Sequence, residues 1–476
     1  MNLVYHINDK PKFPQLLLFA LQQLLAILAA TILVPAIVNG NSEIAKMSQS
    51  AALFGAGAGT LIYQLFTKFK SPVFLGSSFA FITPMCVAFS GALAASTGYL
   101  GLLLGAVMAG AVYVIIALLV KFFGTSWISK LMPPVVIGPT VAIIGMSLSV
   151  NAINSVVSGA TPTPDGTAFE MNTTSWLSLI CGLVTMIIIF ICSSYGKKMM
   201  KLIPFIVGIL GGYIVALVFT LIGTVADVEK MKIIDFSPFK SMSWLPDFAF
   251  VRLFGEPLNF GDGNFWSYLG KVAVAYVPVA FVVFAEHIAD HKNLSSIIGK
   301  DLLEEPGLHR TLLGDGVGSM VGALFGGCPN TTYGESVGCV AITKNASVIT
   351  ITTTAIIAMA SAFFAPFVAF LSTIPACVVM GGACIALYGF IAVSGLKMIQ
   401  KVNLEESSNL FTVSVILICG IGGLALKVGE VTLTSIACSL ILGIITNVLL
   451  NLKKKNAESV PADEEVAEEP IEENKS

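Results

Sequence analysis

Pro329-Asn330-Thr331-Thr332-Tyr333-Gly334-Glu335-Ser336 interrupts an otherwise apolar part of the chain. Thr, Thr and Tyr favour extended backbone, and Gly334 allows close approach of a ligand. A helix that starts after such a break points unpaired N–H groups, and the positive end of its dipole, into the membrane interior. Gly76-Ser77-Ser78-Phe79-Ala80-Phe81 supplies a facing counterpart. Ser77-Ser78-Phe79-Ala80 matches Thr331-Thr332-Tyr333-Gly334 as two hydroxyls, an aromatic and a small residue. Two such breaks would present backbone donors and acceptors to a flat polar solute. The rival reading is structural, with glycine and hydroxyl residues there to let helices pack closely.

Around these breaks the chain reads as apolar runs near 15–38, 48–67, 73–90, 98–120, 131–150, 175–195, 202–226, 267–290, 310–326, 329–343, 347–371, 374–396, 408–426 and 431–451. About 20 apolar residues cross a bilayer as a helix. The expectation is therefore an all-α polytopic membrane protein with 14 transmembrane segments and short extended breaks in spans 3 and 10. Gly138 and Gly145 in span 5 have counterparts in Gly382 and Gly389 of span 12, at the same seven-span offset as the two breaks. Seven is odd, so the second copy is inverted, giving a 7+7 inverted repeat. Inverted repeats with interrupted helices in matching positions are the pattern of secondary transporters.

Composition supports the same class. Of 476 residues, 55% are hydrophobic and 11% charged, and the mean hydropathy is +0.87. Soluble domains carry about 25% charged residues, so a secreted protein, a nucleic-acid binder and a soluble enzyme are excluded as readings. With an intracellular N-terminus and an even number of spans, 19 of the 26 Lys and Arg residues fall inside, so both termini are expected to be cytoplasmic. Residues 1–14 are mixed and the apolar run after them is too long for a signal peptide, so the first helix is expected to be retained. The nine cysteines lie in or beside apolar runs without a CxxC, which supports neither disulfides nor zinc. Eight of the 28 acidic residues crowd into the last 20 positions, and residues 456–476 read as a disordered acidic tail.

Ionisable residues inside spans are costly and mark functional sites by default. Glu286, Asp290, Asp315 and Glu335 are the acids in or near apolar segments. Asp315, in Leu313-Gly314-Asp315-Gly316, reads as a helix-end or turn residue. Glu286 and Asp290 are four apart and share a helix face, where mutual repulsion suits a proton carrier. A wet carboxylate pair at a helix end is the alternative. His287 and His291 have zinc-ligand spacing, but HExxH is missing. Asn330-Thr331-Thr332 and Asn172-Thr173-Thr174 match the glycosylation sequon weakly.

Several of these stretches carry a family likeness. Gly76-Ser-Ser-Phe-Ala-Phe-Ile82, Ala285-Glu286-His287-Ile288, Asp301-Leu-Leu-Glu-Glu-Pro-Gly-Leu-His-Arg310 and Asn330-Thr-Thr-Tyr-Gly-Glu335 resemble the nucleobase–ascorbate transporter family, and within it the bacterial uracil permeases. The likeness covers nearly the whole ordered chain. It implies a core domain (1–125 with spans 1–4, and 266–372 with spans 8–11). It also implies a gate domain (126–265 with spans 5–7, and 373–455 with spans 12–14) that mediates dimerisation.

The resemblance further implies roles. Glu286 matches the span-8 glutamate that hydrogen-bonds the pyrimidine and is linked to proton coupling, with Asp290 beside it. Gly334 and Glu335 match the span-10 glycine amide and carboxylate that meet the substrate. Phe79 matches the residue whose amide contacts a ring carbonyl, Ala30 looks like the residue beside the ring in span 1, and Tyr388 matches a gate-side aromatic. Two positions depart: Gln22-Gln23 stands where many relatives have Gln-His, and Asp290 where uracil permeases have His. Gly138, Gly145, Gly382 and Gly389 are expected at the gate face that meets the core. The reading is a homodimeric inner-membrane importer of uracil coupled to protons, or alternatively Na+, with no cofactor and no nucleic acid. A purine or xanthine symporter of the same fold and a membrane metalloenzyme are the alternatives.

Overall fold

The computed structural model describes the chain except residues 1–2, 45, 91, 125, 148, 166, 198–199, 201–203, 241, 261–263, 429–430, 434 and 459–476. The acidic tail beyond residue 458, with Lys198, Lys201 and Lys475 of the charge tally, lies outside the described residues.

Helices dominate. The first half holds α1 (Phe13–Gly40), α2 (Gln49–Phe66), α3 (Ile82–Ser90), α4 (Ala95–Phe123), α5 (Pro134–Ser147), α6 (Ser149–Val156), α7 (Thr173–Tyr195) and α8 (Pro204–Val225). The second half holds α9 (Phe265–Ile298), α10 (Leu308–Gly326), α11 (Gly334–Thr343), α12 (Val348–Ser361), α13 (Ala365–Thr373), α14 (Cys384–Ile399, entered through a π-helical turn Cys377–Ala383), α15 (Ser407–Ile421) and α16 (Ser435–Glu458). Short helices at Ser126–Leu131 and Ala249–Arg252 occupy connections. Among the described residues, seven helices or helix pairs are long and apolar enough to cross a bilayer, and α12 with α13 makes an eighth if that pair, bent by 84°, is one span. The apolar run 347–371 is therefore not one straight helix.

Local chemistry sets the helix ends. Asn172 caps α7 reciprocally with Ser175, which gives that sequon a structural role. Ser48 caps α2 and Asn264 caps α9 through the same side-chain acceptance of an orphan N–H. Gly299 and Gly327 end α9 and α10 in the left-handed conformation.

Small residues let the central helices approach. Gly318, Gly322 and Gly326 of α10 lie one turn apart and face Gly55 and Gly59 of α2. A Cβ at Gly55 would overlap the Gly322 carbonyl, and one at Gly59 would lie 2.6 Å from the Gly318 carbonyl. The glycines expected at the gate face that meets the core have other surroundings. A Cβ at Gly138 would lie 3.1 Å from the Gly395 carbonyl, and one at Gly145 would lie 2.6 Å from the Ala392 nitrogen, so both seat α5 on α14. Gly382 closes on Gly182 of α7, and Gly389 faces open space. Gly138, Gly145 and Gly382 thus serve contacts among elements that the expectation assigned to the gate itself, because backbone-to-backbone packing there needs bare Cα atoms.

Among the described residues, three two-stranded ladders complete the structure: β1 (Leu75–Ser77) with β4 (Asn330–Thr332), β2 (Thr161–Pro162) with β3 (Phe169–Glu170), and β5 (Leu426–Val428) with β6 (Val431–Leu433). The first is buried along both strands, and it positions the site.

Candidate functional site

The two sequence breaks pair with each other. β1 runs antiparallel to β4 in the register Leu75↔Thr332, Gly76↔Thr331 and Ser77↔Asn330. The Ser78 N–H extends the ladder by donating to the Pro329 carbonyl at 2.9 Å. Every residue of both strands is buried, so the ladder satisfies backbone groups that would otherwise be stranded. Asn330 is 2% exposed and donates its amide to the Gly55 carbonyl at 3.0 Å, which makes it a packing residue between α2 and α10. Its sequon is therefore inaccessible.

Gly76 is bare for a visible reason. A Cβ there would overlap the Tyr333 ring, whose hydroxyl reaches past Gly76 to donate to the Ser77 carbonyl at 2.9 Å. Tyr333 caps the start of α11 in extended backbone, and Gly334 and Glu335 form that helix's first turn. On the other strand, the chain turns through a short 3-10 stretch, Phe79–Phe81, into α3. Both breaks therefore release a helix N-terminus beside the ladder, where unpaired N–H groups collect.

Around α11 the carboxylates converge. Asp290 on α9 accepts a hydrogen bond from Thr332 Oγ1 at 2.7 Å. An ideal Cβ at Gly334 would sit 4.0 Å from the other Asp290 oxygen, with nothing closer. Glu286 lies one turn earlier on the same helix face of α9. Glu286, Asp290 and Glu335 are all only partly buried, and Gly334 is exposed, so this face is open to a solute. The alternative of a wet pair at a helix end fails for Glu286 and Asp290, because α9 continues to Ile298.

The apolar wall comes from other elements. Phe79 and Tyr388 meet edge-on with ring centroids 5.9 Å apart, joining the first break to α14. Ala30 on α1 is 2% exposed and belongs to the same apolar cluster as Phe79, Tyr333 and Tyr388. The structure thus gathers Glu286, Asp290, Gly334 and Glu335 directly and brings Phe79 to Tyr388. Ala30 is buried in the main apolar core.

Gln23 has a definite task. Its amide donates to Ser336 Oγ at 2.6 Å, and that oxygen also accepts the Phe74 N–H at 3.2 Å. One side chain on α1 thereby ties down the residue after Glu335 and the segment leading into β1.

The histidines are engaged elsewhere. His287 Nδ1 meets Asp315 Oδ2 at 2.6 Å and Nε2 meets Thr311 Oγ1 at 3.0 Å. His291 Nδ1 meets the His287 carbonyl at 2.8 Å and Nε2 meets the Tyr63 hydroxyl at 2.7 Å. All four ring nitrogens have protein partners, and the described residues contain no metal-holding group of three or more acidic, Cys or His side chains. The zinc spacing reflects two stacked imidazoles, with centroids 4.0 Å apart, that bolt α9 to α2 and α10.

Asp315 corrects the sequence reading. It lies well inside α10, is 1% exposed, and pairs with His287 instead of ending a helix. Flanking glycines made it look like a turn residue; in fact they let α10 pack closely enough to bury it.

Apolar helices around two broken segments, with partly buried carboxylates at the break, define a multi-pass membrane transporter. Solved structures share the fold. The mouse Solute Carrier 26 family member A9 anion transporter in its inward-facing state aligns with TM-score 0.61 at 10% identity, over 94% of this chain and 69% of that one. The transmembrane domain of the cyanobacterial bicarbonate transporter BicA aligns with TM-score 0.53 at 16% identity, over 93% and 100%. The chain belongs to the permease family, whose model matches residues 14–429. It is 38% identical to the uracil permease of Bacillus caldolyticus over 96% of this chain and 97% of that protein. Identity to the uracil permease of Bacillus subtilis is 37% over 94% and 95%, and to that of Escherichia coli K12 it is 32% over 94% of each. These relatives are transporters, not enzymes.

Proposed function

We propose that the protein carries uracil, or a closely related pyrimidine nucleobase, across the cytoplasmic membrane of a bacterium in symport with protons. The observation that carries this reading is the β1–β4 pairing, which sets the first turn of α11 beside Asp290, one turn along α9 from Glu286. Uracil presents alternating N–H and C=O groups along one edge. Carboxylate oxygens of Glu286 and Glu335 would accept from its N–H groups. The amides of Gly334 and Phe79, at the starts of two short helices, would donate to its carbonyls, and the Phe79–Tyr388 pair and Ala30 would cover the ring. The names of the full-length relatives support the substrate.

Proton coupling is assigned to Glu286 with Asp290. Neutralising a carboxylate lowers the cost of moving a loaded, desolvated site through the bilayer. A 14-span, 7+7 inverted architecture is supported by the ladder. The shift that superimposes Ser77-Ser78-Phe79-Ala80 on Thr331-Thr332-Tyr333-Gly334 also carries 75–78 onto 329–332, and those two segments are the ones that pair. Core (1–125, 266–372) and gate (126–265, 373–455) domains, a homodimer through the gate, and cytoplasmic termini complete the proposal.

The test is Glu335→Gln, which keeps size but turns an acceptor into a mixed donor and acceptor. Loss of a charged hydrogen bond costs about 1.5–3 kcal/mol, so uracil binding measured by calorimetry should weaken by roughly tenfold or more. Unchanged affinity in a folded Glu335→Gln protein removes this carboxylate from the site.

A further inference from the structure

The half-helix α11 is held at both ends by parts of the chain remote in sequence. Its start is fixed by β1, through that strand's pairing with β4, and by Gln23. The other end stops at Lys344, which takes a left-handed conformation with φ 56°. The last carbonyls of a helix lack intrahelical partners. Here the partner comes from residues 3–9. The Val4 and Tyr5 N–H groups donate to the Lys344 carbonyl at 2.8 and 3.3 Å. In return, Tyr5 O accepts from Ala346 N at 2.9 Å, and Ile7 O accepts from Val348 N at 3.0 Å. Ser347 Oγ donates to the Asp9 carbonyl at 2.5 Å.

Side chains of the same segment add apolar contact. Leu3 and Ile7 pack on a small cluster, separate from the main core, that contains Leu75 of β1, Val337 and Val340 of α11, and Leu294 of α9. Tyr5 donates to Gln15 Oε1 at 2.7 Å and meets the Phe19 ring edge-on, which ties the segment to α1. Residues 3–9 therefore touch three of the elements that carry the candidate site, from the end opposite the ladder.

We propose that residues 3–9 are a positioning strap: by capping α11 and closing the apolar cluster beneath β1, they hold Gly334 and Glu335 where the substrate meets them. This rests on the reading that the first turn of α11 binds the nucleobase. The strap touches no substrate and acts only through α11.

Val4→Pro tests the strap, because it removes the donor to Lys344 while the Val4 side chain is 59% exposed. Val4→Ala keeps the N–H and serves as the control. In full-length purified protein, N-ethylmaleimide labelling is followed by peptide mass spectrometry at Cys339, buried on α11, with Cys181, buried on α7, as internal reference. Uracil binding is measured on the same samples. Loss of one backbone hydrogen bond predicts about fivefold faster Cys339 labelling and about fivefold weaker uracil binding in Val4→Pro. Cys181 and the Val4→Ala protein should stay at wild-type values.

Unchanged Cys339 labelling overturns the strap, as does a matching rise at Cys181, which would mean general loosening. Faster Cys339 labelling with wild-type uracil affinity overturns the positioning role. Failure of the wild-type protein to bind uracil sinks the functional reading instead, and Cys339 still decides whether the strap holds α11.

Discussion

Replacing Gly334 with alanine separates packing from recognition. A methyl built at Gly334 meets nothing nearer than an Asp290 oxygen 4.0 Å away, and Gly334 is absent from the positive-φ positions. The folded protein therefore has room for alanine. Removing glycine's freedom in the unfolded chain at a compatible position stabilises by about 0.4–1 kcal/mol, so the melting temperature should hold or rise slightly. The same methyl, however, stands in the open space in front of the first turn of α11, where the proposed ring approaches the amide. Overfilling a fitted site costs about 1–3 kcal/mol, which corresponds to roughly a 5- to 150-fold increase in Kd. Calorimetric titration with uracil, alongside thermal unfolding in the same detergent, reads both quantities. Wild-type affinity in Gly334→Ala would refute the placement of substrate against this helix start. A collapse in melting temperature would refute the open space itself.

Gly76→Ala should behave in the opposite way. Its methyl displaces the Tyr333 ring and breaks the bond to Ser77, at a combined cost of about 2–4 kcal/mol. Thermal unfolding checks it, and an unshifted transition would contradict the ladder geometry. Gly145→Leu should lose folded yield and transport together, because its side chain meets the backbone of α14. Gly389→Leu should leave detergent stability intact. A Gly145→Leu protein of normal stability but slow transport would restore the placement of Gly145 at the gate face that meets the core.

The sequence disclosed the breaks because they violate local rules. Thr331-Thr332-Tyr333-Gly334 favours strand inside an apolar run, and Glu335 is expensive there. Glu286 and Asp290 were legible from depth and i, i+4 spacing. Pairings between distant segments left no local mark. Nothing around Asp315 announces that it meets His287, and flanking glycines suggested a turn. The zinc-like histidine spacing was real as periodicity, yet its meaning depended on Thr311, Asp315 and Tyr63 arriving from other helices. Gly138 and Gly145 share a helix face against α14, whereas Gly382 meets Gly182 and Gly389 faces open space. Which neighbour that face meets is decided by packing between helices, and no single-helix pattern encodes it. Residues 3–9 read only as mixed, because their hydrogen bonds to 344–348 are made largely by backbone groups.

Uptake of radiolabelled uracil into proteoliposomes under an imposed inward proton gradient tests the central claim most directly, with wild-type and Glu286→Gln proteins compared. The account predicts accumulation by the wild-type protein that disappears when the gradient is dissipated, and none by Glu286→Gln even where uracil exchange survives. Uptake indifferent to the proton gradient, or gradient-driven accumulation by Glu286→Gln equal to wild type, would contradict it.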